Sequence, residues 1–270
     1  MAARNGTEPA RDREGSGLQG VGRAFDVLEC LAERPMTASE VVEALGVKWA
    51  TAHRTLSYLR DRGYLERDAR TGVYGVGPRI YAVGSSYLTR LPIVRIARPH
   101  LREAADELGA TAQLVRRDGD SSVVLDVLEP RKDAVPHTSI GYNFPLNCSS
   151  KGHVLLAWSD ADFLDGFLAR PLRALTPHSI TDPDVLRKRL AAVRERGYAV
   201  TTRDVRLFSG SVSAPVHDVT GDVVACITLI VPSAELRARM QRLVDRSVRI
   251  AEEVSLMLGW RAPLHHPQMP

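Results

Sequence analysis

The sequence predicts an α+β fold: a winged helix-turn-helix, a linker helix, and a larger C-terminal domain of mainly antiparallel sheet with flanking helices. Three observations predict it. Residues 19–76 run helix, helix, tight turn, helix, hairpin, the order of a winged helix-turn-helix. Past Gly109 the apolar residues change from helical spacing to alternation. Few of the later strand-to-strand connections contain a whole helix, which favours antiparallel pairing with helices packed on the sheet. A chain of 270 residues with 44% hydrophobic and 25% charged residues has room for two such domains.

Each element follows in order. Residues 1–17, rich in Arg, Glu and Gly, read as a disordered arm. Val21, Ala24, Phe25, Leu28 and Leu31 recur at helical spacing and give one amphipathic helix, closed by Arg34-Pro35. Thr37 followed by Glu40 is a capping box, and Val41, Val42 and Leu45 then form a short helix stopped at Gly46. A third helix is expected over 48–61, with Ala52, Leu56 and Leu59 inward and Gly63 at its close. Tyr64–Arg67 and Val73–Val76 flank Asp68–Gly72 as a hairpin, completing a domain over 18–77. A linker helix is expected over 78–98, interrupted at Pro92, and a further helix runs 98–108. Strands are expected at Ala112–Val115, Val123–Leu128, Val135–Ile140, Tyr198–Thr202, Val212–Val216 and Val223–Val231. Helices are expected near 149–158, 160–168, 182–196 and 233–258, which makes 99–260 the second domain and 261–270 a flexible tail.

Charge narrows the partners. The formal net charge is +4, and residues 1–90 carry 13 Lys/Arg against 11 Asp/Glu, so any nucleic-acid surface has to be local. Cys30, Cys148 and Cys226 stand far apart with no Cys-x-x-Cys pair, which points to a reducing cytoplasm. The N-terminus lacks the apolar run of a signal peptide, and no stretch approaches about 18 apolar residues, so no membrane is expected.

The second helix of a helix-turn-helix enters the major groove, and its first residues meet the bases. Here that start is Lys48, Trp49, Ala50 and Thr51, with His53 and Arg54 one turn on. Arg54, whose fork donates two parallel hydrogen bonds, is the leading candidate for a guanine edge or a phosphate. Thr37, before the preceding helix, and Arg67 and Arg70 on the hairpin complete the candidate DNA contacts; a wing touches phosphate or minor groove. One Arg on a helix is ordinarily a solvated charge. The ordered set of capping box, turn glycine, third helix and hairpin is far more specific than any single residue.

The stretches GRAFDVLECLA, TASEVVEALGV, TAHRTLSYLRDRGYLERD and YGVGPRI within residues 18–84 resemble the IclR family of bacterial transcription regulators. LNCSSKGHVLLA, RERGYAV and SAPVHDVTGDVVACITLIVP extend the resemblance to 258. It implies a regulator, by default a repressor, that binds a double-stranded DNA operator as a homodimer or dimer of dimers. It also implies a GAF-like C-terminal domain holding a small-molecule effector. Two departures stand out. Trp49-Ala50 replace the polar start common in the family's recognition helix, so no operator preference carries over. Thr201-Thr202-Arg203-Asp204 replaces an acidic run, which would remove a carboxylate from the effector site, and Arg203 would favour a more anionic ligand.

Asn147–Gly152 precedes the apolar run Val154–Ala157. Small polar residues at a helix start leave N–H groups and the positive dipole end open, which suits a carboxylate or phosphate. Taken alone, the stretch is more readily an ordinary N-cap. Cys148, Ser149, Ser150 and Lys151 are the candidate effector contacts there. The resemblance adds Thr201, Ser211 and Thr228, with Cys226 on the same strand as Thr228 and with Leu146 and Phe208 as apolar walls. The effector is expected to be a small anionic organic metabolite.

Three rival readings stand beside this. Cys148 or a neighbouring serine with Lys151, and His153 or His217 as base, could make a nucleophilic enzyme; no Gly-x-Ser-x-Gly is present, and no enzyme is expected. His137, His153, His178 and His217 lack ligand spacing and His265-His266 sits in the tail, so no metal or other cofactor is expected. Finally, the C-terminal domain could serve oligomerisation alone.

Overall fold

The computed structural model describes residues 11–130 and 139–261. The chain divides into two units, Met1–Arg90 and Leu91–Pro270.

In the first unit, α1 (Arg11–Glu33), α2 (Ala38–Leu45) and α3 (Trp49–Asp61) precede the strands β1 (Leu65–Arg67) and β2 (Tyr74–Val76) and the helix α4 (Pro78–Thr89). Thr37 starts α2 by a closed capping box. Its N–H donates to Glu40 Oε2 (2.7 Å), and its hydroxyl oxygen accepts from Glu40 N–H (3.4 Å). Gly46 ends α2 in the left-handed region, φ 61°. Val27, Leu31, Met36, Val41, Leu56, Leu59, Leu65 and Tyr74 form the core. β1 and β2 pair antiparallel, and Met36 bridges to Tyr74, which makes the hairpin part of the unit's core. Gly77 joins β2 to α4 where a Cβ would stand 2.6 Å from Gly63 O, a contact only glycine permits.

Three expectations change here. Residues 11–17 are helical, part of α1, and not an arm, while 1–10 lie outside the described residues. On α1 the buried face is Val27 and Leu31, flanked by Ala24 and Leu28; Val21 and Phe25 are exposed. Spacing finds an apolar stripe but not how much of it the unit covers. The linker helix ends at Thr89, and Pro92 opens α5 (Pro92–Leu108), which runs on through Pro99. Proline at the start of a helix forfeits no hydrogen bond, because that N–H has no partner in the first turn.

The second unit continues from α5 with β3 (Thr111–Asp118), β4 (Ser121–Leu128), β5 (Asn143–Pro145) and a 3₁₀ turn, Leu146–Cys148. Then come α6 (Ser150–Ala157), α7 (Ala161–Leu168), α8 (Pro183–Arg196), β6 (Ala199–Thr202), β7 (Ser209–His217), β8 (Val223–Pro232) and α9 (Ser233–Met257). The six strands form one sheet in the order β5-β4-β3-β8-β7-β6, antiparallel throughout. α5 and α9 pack together and on the sheet; α6 lies against its central strands with α8 behind it. Leu146, Val154, Leu156, Leu186, Leu190 and Val193 fill the α6 side. The strand expected at Val135–Ile140 falls mostly outside the described residues, and Ser139 and Ile140 are not in a strand; the edge strand is Asn143–Pro145. Residues 262–270, with His265 and His266, and also His137, lie outside the described residues. Among the described residues no helix is long and apolar enough to cross a membrane.

Candidate functional site

Two surfaces carry chemistry, one in each unit. In the first, Lys48 is the N-cap of α3 with its side chain unused for capping. Ala52, Leu56 and Leu59 face the core, so the helix period turns Lys48, Trp49, Ala50, His53 and Arg54 to solvent. Trp49 is 53% exposed and stacks on His53, ring centroids 6.2 Å apart. Thr51 is half-buried. Among the described residues Lys48, Arg54, Arg67 and Arg70 make no ion pair, in contrast to Arg60, which pairs with Asp61 at 2.7 Å. Thr37 differs from the rest. Its hydroxyl proton goes to Glu40 Oε2 (2.8 Å), so none is left for a phosphate while the box is closed. The Thr37 N–H and hydroxyl hold the Glu40 carboxyl at about 2, well below its usual range. On the hairpin, Asp68 Oδ1 accepts the N–H groups of Arg70 and Thr71, both at 2.8 Å. That turn projects exposed Arg70 beside exposed Arg67.

In the second unit, strand register assembles a polar stripe facing α6. Thr201 stands opposite Ser211, Ser211 opposite Ile230, and Ile230 opposite Thr111. One rank on, Ser213 stands opposite Thr228, and Thr228 opposite Gln113. Cross-strand partners share a face. Ser150, at the start of α6, drops its hydroxyl between Ser211 (2.7 Å) and Ser213 (2.8 Å), and Ser213 meets Thr228 at 2.8 Å. Thr201 reaches Ser211 at 3.2 Å and accepts the Ser150 N–H at 3.1 Å. Five hydroxyls are thus joined by four oxygen–oxygen links, which leaves one hydroxyl proton not used within the chain of links.

This stripe floors a cavity of about 40 Å³ lined by Ser149, Lys151, Thr201, Ser211 and Thr228, with Phe144, Val205 and Ile230 as apolar wall and Asp204 and Arg206 also present. Lys151 is 4% exposed, and its Nζ meets Gln113 Oε1 at 3.2 Å and the Phe144 ring at 4.0 Å. Burial pulls its ammonium down to about 8. Burial pushes the Asp204 carboxyl up to about 6. A second, larger hollow of about 230 Å³ includes Asp120, Asn147 and Arg170. Three of its polar groups are already engaged with one another or with backbone: Arg170 with Asp120, and Asn147 with the carbonyls of Arg173 and Ile180.

Several expected effector contacts are placed elsewhere. Leu146 is fully buried in the apolar core. Cys148 donates to Arg173 O (3.1 Å) and does not line the cavity. Phe208 is 56% exposed and absent from the lining. Cys226 is buried beneath Lys151 and Thr228. Nor is the start of α6 an open cradle. Ser149 Oγ accepts the Gly152 N–H (3.2 Å), and Thr201 takes that of Ser150. A Cβ on Gly152 would stand 2.0 Å from Leu146 O, so this glycine lets α6 lie on the 3₁₀ turn. Arg203 is exposed at φ 66°, its N–H bonded to Ser209 O; that twist turns Asp204 inward, so a carboxylate is retained at the cavity and Arg203 stays outside. Phe144, Asp204 and Gln113 escaped sequence reasoning. Gln113, an amide inside the otherwise apolar run Ala112–Val115, was the available signal.

Comparison with known proteins gives matches over both units. The IclR helix-turn-helix domain matches residues 20–69, and the C-terminal domain of the bacterial transcriptional regulator IclR matches 85–256. The chain belongs to the IclR family. Its IclR relatives include the HTH-type transcriptional regulator BhcR of Paracoccus denitrificans, 30% identical over 92% of this chain and 90% of that protein. Another is the DNA-binding transcriptional repressor YiaJ of Escherichia coli, 26% identical over 94% and 93%. An IclR transcriptional regulator from Alicyclobacillus acidocaldarius has the same fold, with a TM-score of 0.78 and 28% identity over 89% of this chain and 97% of that one.

Proposed function

We propose that this IclR-family regulator works in the cytoplasm as an effector-responsive repressor, binding an operator through Lys48, Trp49, Ala50, Thr51, His53 and Arg54 on α3, with Arg67 and Arg70 of the hairpin on the backbone. The observation that carries this is the exposed basic and aromatic start of α3, whose cations make no ion pair among the described residues, on a helix whose opposite side is core. One such helix reads only a few base pairs, so a second copy at a spaced half-site is needed. Val21 and Phe25 on α1 and Tyr81, Val83 and Tyr87 on α4 are exposed apolar side chains that a second protomer would cover. The cavity beside α6 is the effector site, for a small organic acid. Binding there would reset the spacing of paired recognition helices, which requires a coupling of only about 1–3 kcal/mol.

No enzymatic step is assigned. Burial raises both the Cys148 and Cys226 thiols, the latter to about 12, away from the thiolate a nucleophile needs. The rings of His153 and His217 each meet a backbone carbonyl, not a thiol or hydroxyl.

Arg54→Ala tests the reading. It should weaken operator binding by about 1–3 kcal/mol in a gel-shift titration while leaving fold and oligomeric state intact. Wild-type affinity in that variant would overturn the role of Arg54.

A further inference from the structure

The first residue of α3 sets in water a side chain that water serves poorly. Trp49 is 53% exposed, and Ala50 beside it is exposed as well. An indole carries one N–H donor and no acceptor, and a methyl carries neither, so these two residues have little to offer a pattern of hydrogen bonds. What they offer is a flat apolar face. That face is held in place. His53 lies one turn on, and its ring stacks on the indole with centroids 6.2 Å apart and planes 29° from parallel. A ring already braced loses less rotamer freedom when something packs on it.

The surroundings narrow what that something is. Lys48, the N-cap, and Arg54 flank the aromatic pair, and both are exposed. The apolar face of another protein would need no cations around the ring, whereas a polyanion that presents an apolar group at its surface needs both. In the major groove the base edges are donors and acceptors with one apolar exception, the C5-methyl of thymine.

We propose that the Trp49 indole, braced by His53 and with Ala50 leaving room beside it, packs on the C5-methyl of one thymine in each operator half-site. This rests on the operator reading of α3 above and names the base group that α3 selects. Trp49 is then a specificity-determining contact, and His53 is a positioning residue that acts through it. Taking the methyl away removes one carbon of apolar burial, about fourfold in affinity per half-site. Two separate half-sites combine to about sixteenfold.

The test is a gel-shift titration of the full-length protein on a duplex that it selects from a random-sequence library. Each thymine is replaced in turn by deoxyuridine, which keeps the base pairing and removes only the methyl. One thymine per half-site should show the fourfold loss. Trp49→Ala should bind the thymine and uracil duplexes alike, Trp49→Phe should keep most of the preference, and His53→Ala should reduce it. The replaced side chains are exposed, so the variants should melt with the wild type. Arg54→Ala should weaken binding to both duplexes and leave their ratio unchanged. The proposal fails if no uracil position lowers wild-type affinity, if the selected half-sites share no thymine, or if the uracil loss persists in full in Trp49→Ala. It also fails if Trp49→Ala weakens selected and random duplexes equally, which would mark a contact to the sugar–phosphate backbone. These failures leave the operator reading standing. A wild-type protein that enriches no duplex at all sinks the operator reading itself, and the thymine contact with it.

Discussion

His153 and Asp204 are buried with opposite consequences in acid. The His153 ring sits fully buried with Nε2 against Asn147 O, and burial depresses it to about 4. Its folded pKa lies below the unfolded value of about 6.5, so the unfolded chain takes up a proton the fold refuses, and stability is lost as pH falls from about 6.5 towards 4. Asp204 has the reverse sign. Its folded pKa, about 6, lies above the unfolded value, so the cost of its buried carboxylate is in force above pH 6 and fades as pH falls towards 4. Each is worth up to about 3 kcal/mol and the windows overlap, so the two largely cancel. Asp204→Asn should steepen the loss of urea stability between pH 6.5 and 4, and His153→Gln should make it shallower than in the wild type. Equal slopes in all three proteins would refute the pairing. Neither residue's state is readable from sequence, because burial on both sides of a group is a tertiary property.

At the scale of elements, local signals served well. The capping box at Thr37 and the glycine close of α2 are each settled within a few residues, and α2 stands where they place it. The polar stripe was less legible. Thr111 meets Ile230 across more than a hundred residues of chain, so nothing near Gln113 announces that it shares a rank with Thr228 and Ser213. The pairing of Asp204 with the cavity was missed for a related reason, since the left-handed backbone at Arg203 shifts which side chain turns inward. The glycine of Ser150-Lys151-Gly152 reads in sequence as part of an anion-binding helix start, whereas its structural duty is to admit the Leu146 carbonyl. Gly152→Ala should therefore cost at least about 2 kcal/mol in thermal unfolding. A loss below about 0.5 kcal/mol, the level of an ordinary surface substitution, would show that α6 can lift off the 3₁₀ turn freely.

For the whole molecule, the exposed apolar side chains mark what the single chain leaves unfinished. α4 buries none of its residues, and Tyr81 is 80% exposed. A double variant, Phe25→Glu with Tyr81→Glu, should shift the protein towards monomer in sedimentation. It should also weaken specific operator binding more than non-specific binding, because only the former needs two half-sites. A wild-type protein that is monomeric at working concentration, or a variant that still self-associates fully, would contradict this.

The five linked hydroxyls can donate along the chain in either direction. Each O–H can rotate, so the surplus proton can be offered at the Thr201 terminus or, after the whole relay reverses, at the Thr228 terminus. A ligand bearing a carbonyl and one bearing an alcohol could then both be met with no backbone displacement. In the proposed effector site, chemical breadth would come from spinning protons, and discrimination from shape and net charge.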